Sequence, residues 1–246
     1  MEQNCLIGRF FLSGGLPTTL PEYLWWCACV FGAFLLGGVL FCKRIPSFFL
    51  GTDICGLSRD HNPGAANVFA HCGVKMGLFC LFLDMGKGFL PVWLATRVMG
   101  ETSYWYAAMM MAPVLGHAVA PFDHFRGGKC IATAFGVMLA VFPGHPVCFL
   151  TLAGLYIVFS TVIRIRPNRR RSMVTFLLFG VVTGLVLARE HAYSTALGCV
   201  MIALIAIDRH LHDKSGEVRP ETDASEAVPV TVDGPDAPEE ASPHEK

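Results

Sequence analysis

Seven apolar runs separated by short polar stretches constrain this chain more than anything else in it. The first, Tyr23 to about Cys42, opens on Trp25 and Trp26. At about 20 residues it is long enough to cross a bilayer core, and its aromatic pair stands where interfacial rings are expected. The others run from about Gly73 to Val98, Tyr104 to about Val119, Ile131 to Phe142, Val147 to Ile163, Met173 to Ala188 and Ala192 to Ile207. Only 15% of the 246 residues are charged and 53% are hydrophobic, whereas soluble domains carry roughly 25% charged residues. The expected fold is all-α: a polytopic helical membrane protein with about seven transmembrane or partly spanning helices. Several runs are shorter than a full crossing and read as tilted, re-entrant or paired halves.

The formal charge of zero conceals a split. Acidic residues crowd the stretch after residue 212, and the membrane part keeps an excess of bases. Three regions follow: an N-terminal segment over 1–22, a helical membrane domain over 23–212, and a disordered acidic tail over 213–246. The first lacks the basic start and short apolar core of a signal peptide. The last is rich in Glu, Asp, Pro, Ser and Ala without any period. With seven crossings, the loop over 43–72, the loop before Ile131, the arginine cluster of Arg164, Arg166, Arg169, Arg170 and Arg171, and the tail share one side. That side carries most of the bases and is therefore read as cytoplasmic. The ten cysteines include no CxxC and read as small packing residues. His210-x-His212 could bind a metal, but the edge of an exposed tail is the plainer reading. The sequence calls for no metal, no coenzyme, no nucleic acid and no obligate protein partner.

Polar residues concentrate in Pro113–Thr133, between two apolar runs. His117, Asp123, His124, Arg126, Gly127, Gly128 and Lys129 fall close together, which membrane chains seldom allow unless such groups face water or do chemistry. Gly127 and Gly128 are expected to bend the backbone through positive φ and to present N–H groups as an anion nest, with Lys129 adding a full charge. A helix starting just after Lys129 would add its positive end. This is no Walker A loop: Asp123 stands at the first glycine and Cys130 at the Ser or Thr. It reads as a phosphate-binding loop at a membrane surface. Within the second run, Asp84 and Lys87 are three apart and can pair on one helix face. Such a pair is structural or, in a transport protein, functional. Gly73-x-x-x-Gly77 and Gly180-x-x-x-Gly184 mark possible close helix contacts. The stretch Ser47–Cys72 reads as an irregular loop.

Four segments together carry a resemblance. They are Asn62-Pro63-Gly64-Ala65-Ala66-Asn67-Val68, Lys87-Gly88, Gly116-His117 through Gly127-Gly128-Lys129-Cys130-Ile131-Ala132-Thr133, and Arg169-x-x-Ser172-x-x-Thr175. In order and spacing over most of Leu36–Ile207 they resemble the bacterial acyl-phosphate glycerol-3-phosphate acyltransferases of the PlsY type. The chain reads as a diverged member. Asp60 replaces the family's Ser, His61 a Gly, and Ala70 an Arg. The family's third motif, HRxNIxR, falls at Asp208–Lys214 and keeps Arg209 and Lys214.

The resemblance implies transfer of an acyl group from acyl-phosphate to glycerol 3-phosphate, giving lysophosphatidate, at the cytoplasmic face of a bacterial inner membrane. Its partners are those two substrates and the bilayer, and no cofactor is implied. Lys129 and the Gly127 and Gly128 amides would hold phosphate. Asn62, Gly64 and Asn67 would orient the acceptor. Arg126, Arg169, Ser172 and Arg209 would complete the binding surface. His117 is a proton relay or a buried structural group. Asp60 either pairs with Arg59 or Lys129, or acts as a general base. The rival readings are acylation of another acceptor and a non-catalytic lipid-binding or transport protein.

Overall fold

The computed structural model describes residues 19–98, 101 and 103–212. The acidic tail and nearly all of the N-terminal segment lie outside them. Among the described residues every regular element is a helix. Four are long and apolar enough to cross a membrane: α1 (Leu20–Gly38), α4 (Ala65–Val98), α8 (Asn168–Arg189) and α9 (Tyr193–Leu211). Shorter apolar helices complete the bundle: α5 (Tyr104–Val119), α6 (Ile131–Val141) and α7 (Pro146–Ile157), the last extended by a π turn over Val158–Val162. The chain is a multi-pass helical membrane protein. Its inner surface packs Tyr106, Met110, Met138, Leu152, Phe176, Phe179 and Ile202, while Phe31, Phe82, Leu150 and Leu185 stand outward, exposed. Outward apolar side chains are what a lipid solvent requires.

Ser47–Cys72 is more ordered than a loop. Helix α2 (Phe41–Leu50) is amphipathic: Cys42 and Pro46 are buried while Phe48, Phe49 and Leu50 are exposed. An apolar stripe beside Lys43 and Arg44 suits a helix lying in the membrane interface. It ends at Gly51, whose φ of 61° closes a left-handed cap. A single turn, α3 (Ile54–Leu57), follows, capped by the Asp53 carboxylate on the Cys55 N–H. The first apolar run stops earlier than Cys42 because Val39 turns extended.

Helix α4 is two helices joined at Gly73, whose φ of 79° and ψ of 176° interrupt the turn. Only glycine takes that conformation readily. The break lets the Phe69 ring fold back against Gly77. The Gly73–Gly77 spacing therefore serves a fold-back within one segment, not a contact between helices. Gly180 and Gly184 do face another helix, meeting Ala203 and Val200 of α9.

The bundle has two distinct ends. At one, His145 lies 3.2 Å from Glu101 and 3.7 Å from Glu190, and Ser194 donates to the Ser103 carbonyl. The other end gathers the starts of α4, α6 and α8 with the ends of α1, α5 and α9. That is where the basic loops meet.

Candidate functional site

The loop between α5 and α6 is shaped from behind. Helix α5 closes at Ala120 (φ 49°), the turn continues through His124 (φ 53°) and Phe125 (φ 59°), and Cys130 (φ 64°) caps α6. So the left-handed positions are Ala120, His124, Phe125 and Cys130, and not the two glycines. Glycine is needed at 127 and 128 for close approach instead. A methyl at 127 would run into the His117 and Ala118 carbonyls, and one at 128 into the His117 ring. The Gly128 N–H donates to the His117 carbonyl at 3.1 Å. That amide is committed to the fold and does not form half of an anion nest. Arg209 braces the other edge, donating from Nη2 to the Gly127 carbonyl at 2.8 Å and from Nε to the Gly128 carbonyl at 3.3 Å. Asp123 is held by Lys43 at 3.1 Å and Arg44 at 3.3 Å.

Beneath the loop sits a buried charged cluster. Lys87 Nζ is 2.8 Å from Asp84 Oδ1, and it donates to the Val39 carbonyl at 2.6 Å and to His117 Nδ1 at 2.8 Å. Neither charged side chain is more than 2% exposed. An ammonium only donates, so Nδ1 of His117 accepts and the ring proton sits on Nε2, facing Gly128. The geometry makes His117 a strut between Lys87 and the loop.

Asp60 lies opposite. Its Oδ2 meets Lys129 Nζ at 2.7 Å; its Oδ1 accepts from Asn67 Nδ2 at 2.9 Å and from the Asn62 N–H at 3.3 Å. Asn67 also donates to the Asn62 carbonyl at 2.8 Å. Gly64 lies so near the Asn62 side chain that a methyl there would push the amide aside. The segment from Asp60 to Asn67 is thus one compact turn feeding α4. Burial alone would raise the Asp60 pKa, but the hydrogen bonds from Lys129 and Asn67 outweigh it and hold the carboxyl below its usual range.

The Asp60–Lys129 pair stands between two recesses. The inner one, a cleft of about 520 Å³, places Asn67, Arg169 and Ser172 at its polar end and Phe69, Leu81, Met85 and Phe135 along its wall. Gly64, Asn62 and His117 also line it. The outer one, about 360 Å³, is bordered by Arg59, Arg126, Gly127, Gly128 and Arg209. Every residue that the resemblance gives a catalytic or substrate-binding role therefore lines one recess or the other, whereas Lys87, Asp123 and His124 line neither. Arg169 also donates to the Leu211 carbonyl at 2.8 Å, tying the start of α8 to the end of α9. Ser172 Oγ accepts from the Tyr156 hydroxyl at 2.9 Å.

Among the polar cleft residues, Asn168, Arg171 and His210 are given no substrate-binding role by the sequence. His210 is 1% exposed, not at a tail edge. His212 is the exposed one, 3.2 Å from Asp208. The sequence puts Asp208 where the family's third motif has its His; in space it is His210 that turns into the cleft. A signal existed. Cys199, Ile202, Ala206 and His210 recur at helical spacing on the buried face of α9.

The sequence profile named Glycerol-3-phosphate acyltransferase matches residues 27–215. The chain belongs to the glycerol-3-phosphate acyltransferase family. A Hydrogenobaculum member is 33% identical over 181 residues, which cover 74% of this chain and 87% of that protein. A Pseudomonas aeruginosa member is 37% identical over 132 residues, 52% of this chain and 66% of that one. Among solved structures, the glycerol 3-phosphate form of PlsY, an integral membrane glycerol 3-phosphate acyltransferase, superimposes with a TM-score of 0.63 at 30% identity, covering 76% of this chain and 88% of that one. Its lysophosphatidic acid form gives 0.62 at 29%. Every residue of both recesses lies inside the family's matched span.

Proposed function

We propose that this chain is a membrane acyltransferase that moves a fatty acyl group from acyl-phosphate to glycerol 3-phosphate, releasing lysophosphatidate, at the cytoplasmic face of a bacterial inner membrane. One observation carries the reading: Lys129 lies at the junction of a mostly apolar cleft and a basic recess. The first suits an acyl chain bearing an anionic head, the second a small phosphorylated acceptor. The concentration of Lys43, Arg44, Arg59, Arg126 and the arginines around α8 at this end supports the cytoplasmic assignment. Relatives whose names carry this activity support the acceptor.

An acyl-phosphate is a mixed anhydride with a good leaving group, so the acceptor hydroxyl attacks the acyl carbon directly. The protein's work is to hold two anions close and to stabilise developing charge. Lys129 supplies that charge. His210 Nδ1 is 2.7 Å from the Ala206 carbonyl, and a carbonyl can only accept. That contact tethers the ring to its own helix where it lines the cleft. The hydroxyl proton leaves on the departing phosphate. Asn67 and Asn62 shape the acceptor's entrance, and Arg209 acts by bracing the glycine pair.

The decisive experiment supplies the purified protein with acyl-phosphate and glycerol 3-phosphate and looks for lysophosphatidate. The intact protein is expected to form it, and Lys129→Ala to lose on the order of 100- to 1,000-fold in kcat. No product from the intact protein rejects the reading; equal product from both rejects Lys129.

Asp60 is a counter-ion in this scheme, not a base. Its lowered pKa makes it a poor proton acceptor, and its charge competes with phosphate for Lys129. Asp60→Ser is expected to keep or improve turnover and to lower the KM for glycerol 3-phosphate. A loss of turnover of about 100-fold, within the range of general-base removal, would assign the base role to Asp60 instead. The sign for stability follows from the depressed pKa. Asp60 contributes above the ordinary carboxylate range, and its contribution fades as pH falls through the depressed value.

A further inference from the structure

The loop that carries Lys129 is fastened to the membrane-surface helix α2 through a residue that meets no substrate. Asp123 lines neither recess and is 7% exposed. Lys43 and Arg44, in the first turn of α2, hold its two carboxylate oxygens at 3.1 and 3.3 Å. Arg44 Nη2 also donates to the Phe122 carbonyl at 3.0 Å. The Asp123 backbone belongs to the turn itself: its N–H donates to the Ala120 carbonyl and its carbonyl accepts from the Arg126 N–H, both at 3.0 Å. Gly127, Gly128 and Lys129 follow directly, so a shift of Asp123 is passed on to Lys129. Exposed ion pairs contribute little, but a carboxylate this buried is costly to leave without its partners. Helix α2 also reaches the other half of the site. Cys42 packs with Ile54, Val68 and Cys80 in a small apolar cluster apart from the main core. Val68 follows Asn67, which donates to Asp60. One helix thus braces the asparagine-bearing turn by apolar contact and the glycine–lysine loop by charge. Its far end, about 8 Å further along the axis, turns Phe48, Phe49 and Leu50 outward, exposed. Phe122, beside Asp123, is exposed as well, so both sides of the bridge carry an apolar anchor.

We propose that Asp123 is a positioning residue for Lys129, and that the lipid surface, by holding Phe48 and Phe49, seats the helix to which Asp123 is tied. The occupant of the exposed aromatic face is the boundary between headgroups and acyl chains. The chain is a multi-pass membrane protein, and a short amphipathic helix that opens on Lys43 and Arg44 and closes on Phe48, Phe49 and Leu50 matches that boundary in both charge and apolar area. With α2 seated, Lys43 and Arg44 fix Asp123, and the loop presents Lys129 to Asp60 at 2.7 Å. With α2 lifted from the lipid, the bridge follows it or breaks, and the loop loses its outer support. Lys129 then drifts from the place where charge develops, and the chemical step slows. The proposal rests on the acyltransferase reading and adds to it a residue that touches neither substrate.

The test is a mutant cycle on the full chain in phosphatidylglycerol–phosphatidylethanolamine nanodiscs, with Asp123→Ala, with Phe48→Ser plus Phe49→Ser, and with all three changes together. Asp123→Ala is expected to lower kcat about 10-fold or more while both KM values stay within about twofold. Asp123→Asn, which keeps one acceptor for the two cations, is expected to fall between. The serine pair is expected to lower kcat by a similar factor, and the triple variant to lose no more than the worse of the two, because both changes cut the same link. An unchanged kcat in Asp123→Ala, a rise confined to one KM, or losses that multiply in the triple variant overturns the proposal. Thermal unfolding of each variant identifies a folding defect, and Asp123→Asn carries the cycle if Asp123→Ala does not fold. Hydrogen exchange of the loop over 121–129, measured in the same nanodiscs, needs no turnover. Asp123→Ala and the serine pair are each expected to speed it about 10-fold. If the intact protein makes no lysophosphatidate, faster exchange in both variants still supports the tether, and parent-like exchange in either rejects it.

Discussion

Lys87→Met is expected to destabilise the protein by roughly 3–5 kcal/mol, the range for stripping one partner from a buried ion pair. The cause is the charge left behind. Asp84 is almost fully buried, with Lys87 Nζ 2.8 Å away. Without the ammonium its carboxylate is uncompensated in a low-dielectric interior, and the Val39 carbonyl and His117 Nδ1 lose their donor. Asp84→Leu combined with Lys87→Met removes both charges and is expected to recover much of the loss, because an apolar pair of similar volume often does as well as a buried ion pair. Thermal unfolding in detergent, followed by tryptophan fluorescence, measures both variants and the parent. A single mutant as stable as the parent would show that the cluster contributes nothing. Activity should not recover alongside stability in the double mutant, since His117 then loses the contact that orients it beneath the glycine pair.

Gly127→Ala is expected to cost on the order of 100-fold in kcat/KM, the penalty for displacing a catalytic group by about 1 Å. The added methyl meets two backbone carbonyls, those of His117 and Ala118. Neither can swing aside as a side chain would. The loop must shift, and Lys129 shifts with it. Gly86→Ala is the control: nothing lies within 4 Å of a methyl there, and alanine favours the helix by up to about 1 kcal/mol. Steady-state assays with a melting curve for each variant decide the matter. Full activity in Gly127→Ala would mean that the loop tolerates displacement and that Lys129 is not positioned by it.

Much of the site was readable along the chain because its residues announce themselves locally. A lysine after two glycines between apolar runs is unusual whatever lies around it, and the asparagine-bearing turn carries its own signature. What was misread depended on neighbours far away in sequence. The glycines were assigned positive φ because that is the commonest reason for a glycine pair in a turn. Here the reason is the end of α5 pressed against them. Gly128 was assigned a free amide, yet the acceptor for that amide is a carbonyl eleven positions back. Arg209 borders the outer recess as a substrate group would, but its bonds to the loop's own carbonyls were not legible along the chain. Arg171 is one of five arginines in a basic cluster, and nothing local distinguishes the one whose Nε is buried.

By itself the sequence determined the class of molecule and the end of it that matters. Apolar run length and the placement of bases along the chain are local quantities, and they require helices in a membrane with the polar loops gathered on one side. Only the tertiary structure decided which polar groups are engaged with one another and which line the recesses. Asp60 found Lys129, Lys87 found His117, and His210 turned inward while His212 stayed out. Such pairings depend on helix rotation and on contacts between segments distant in sequence, set by packing across the whole bundle and absent from any short stretch of it.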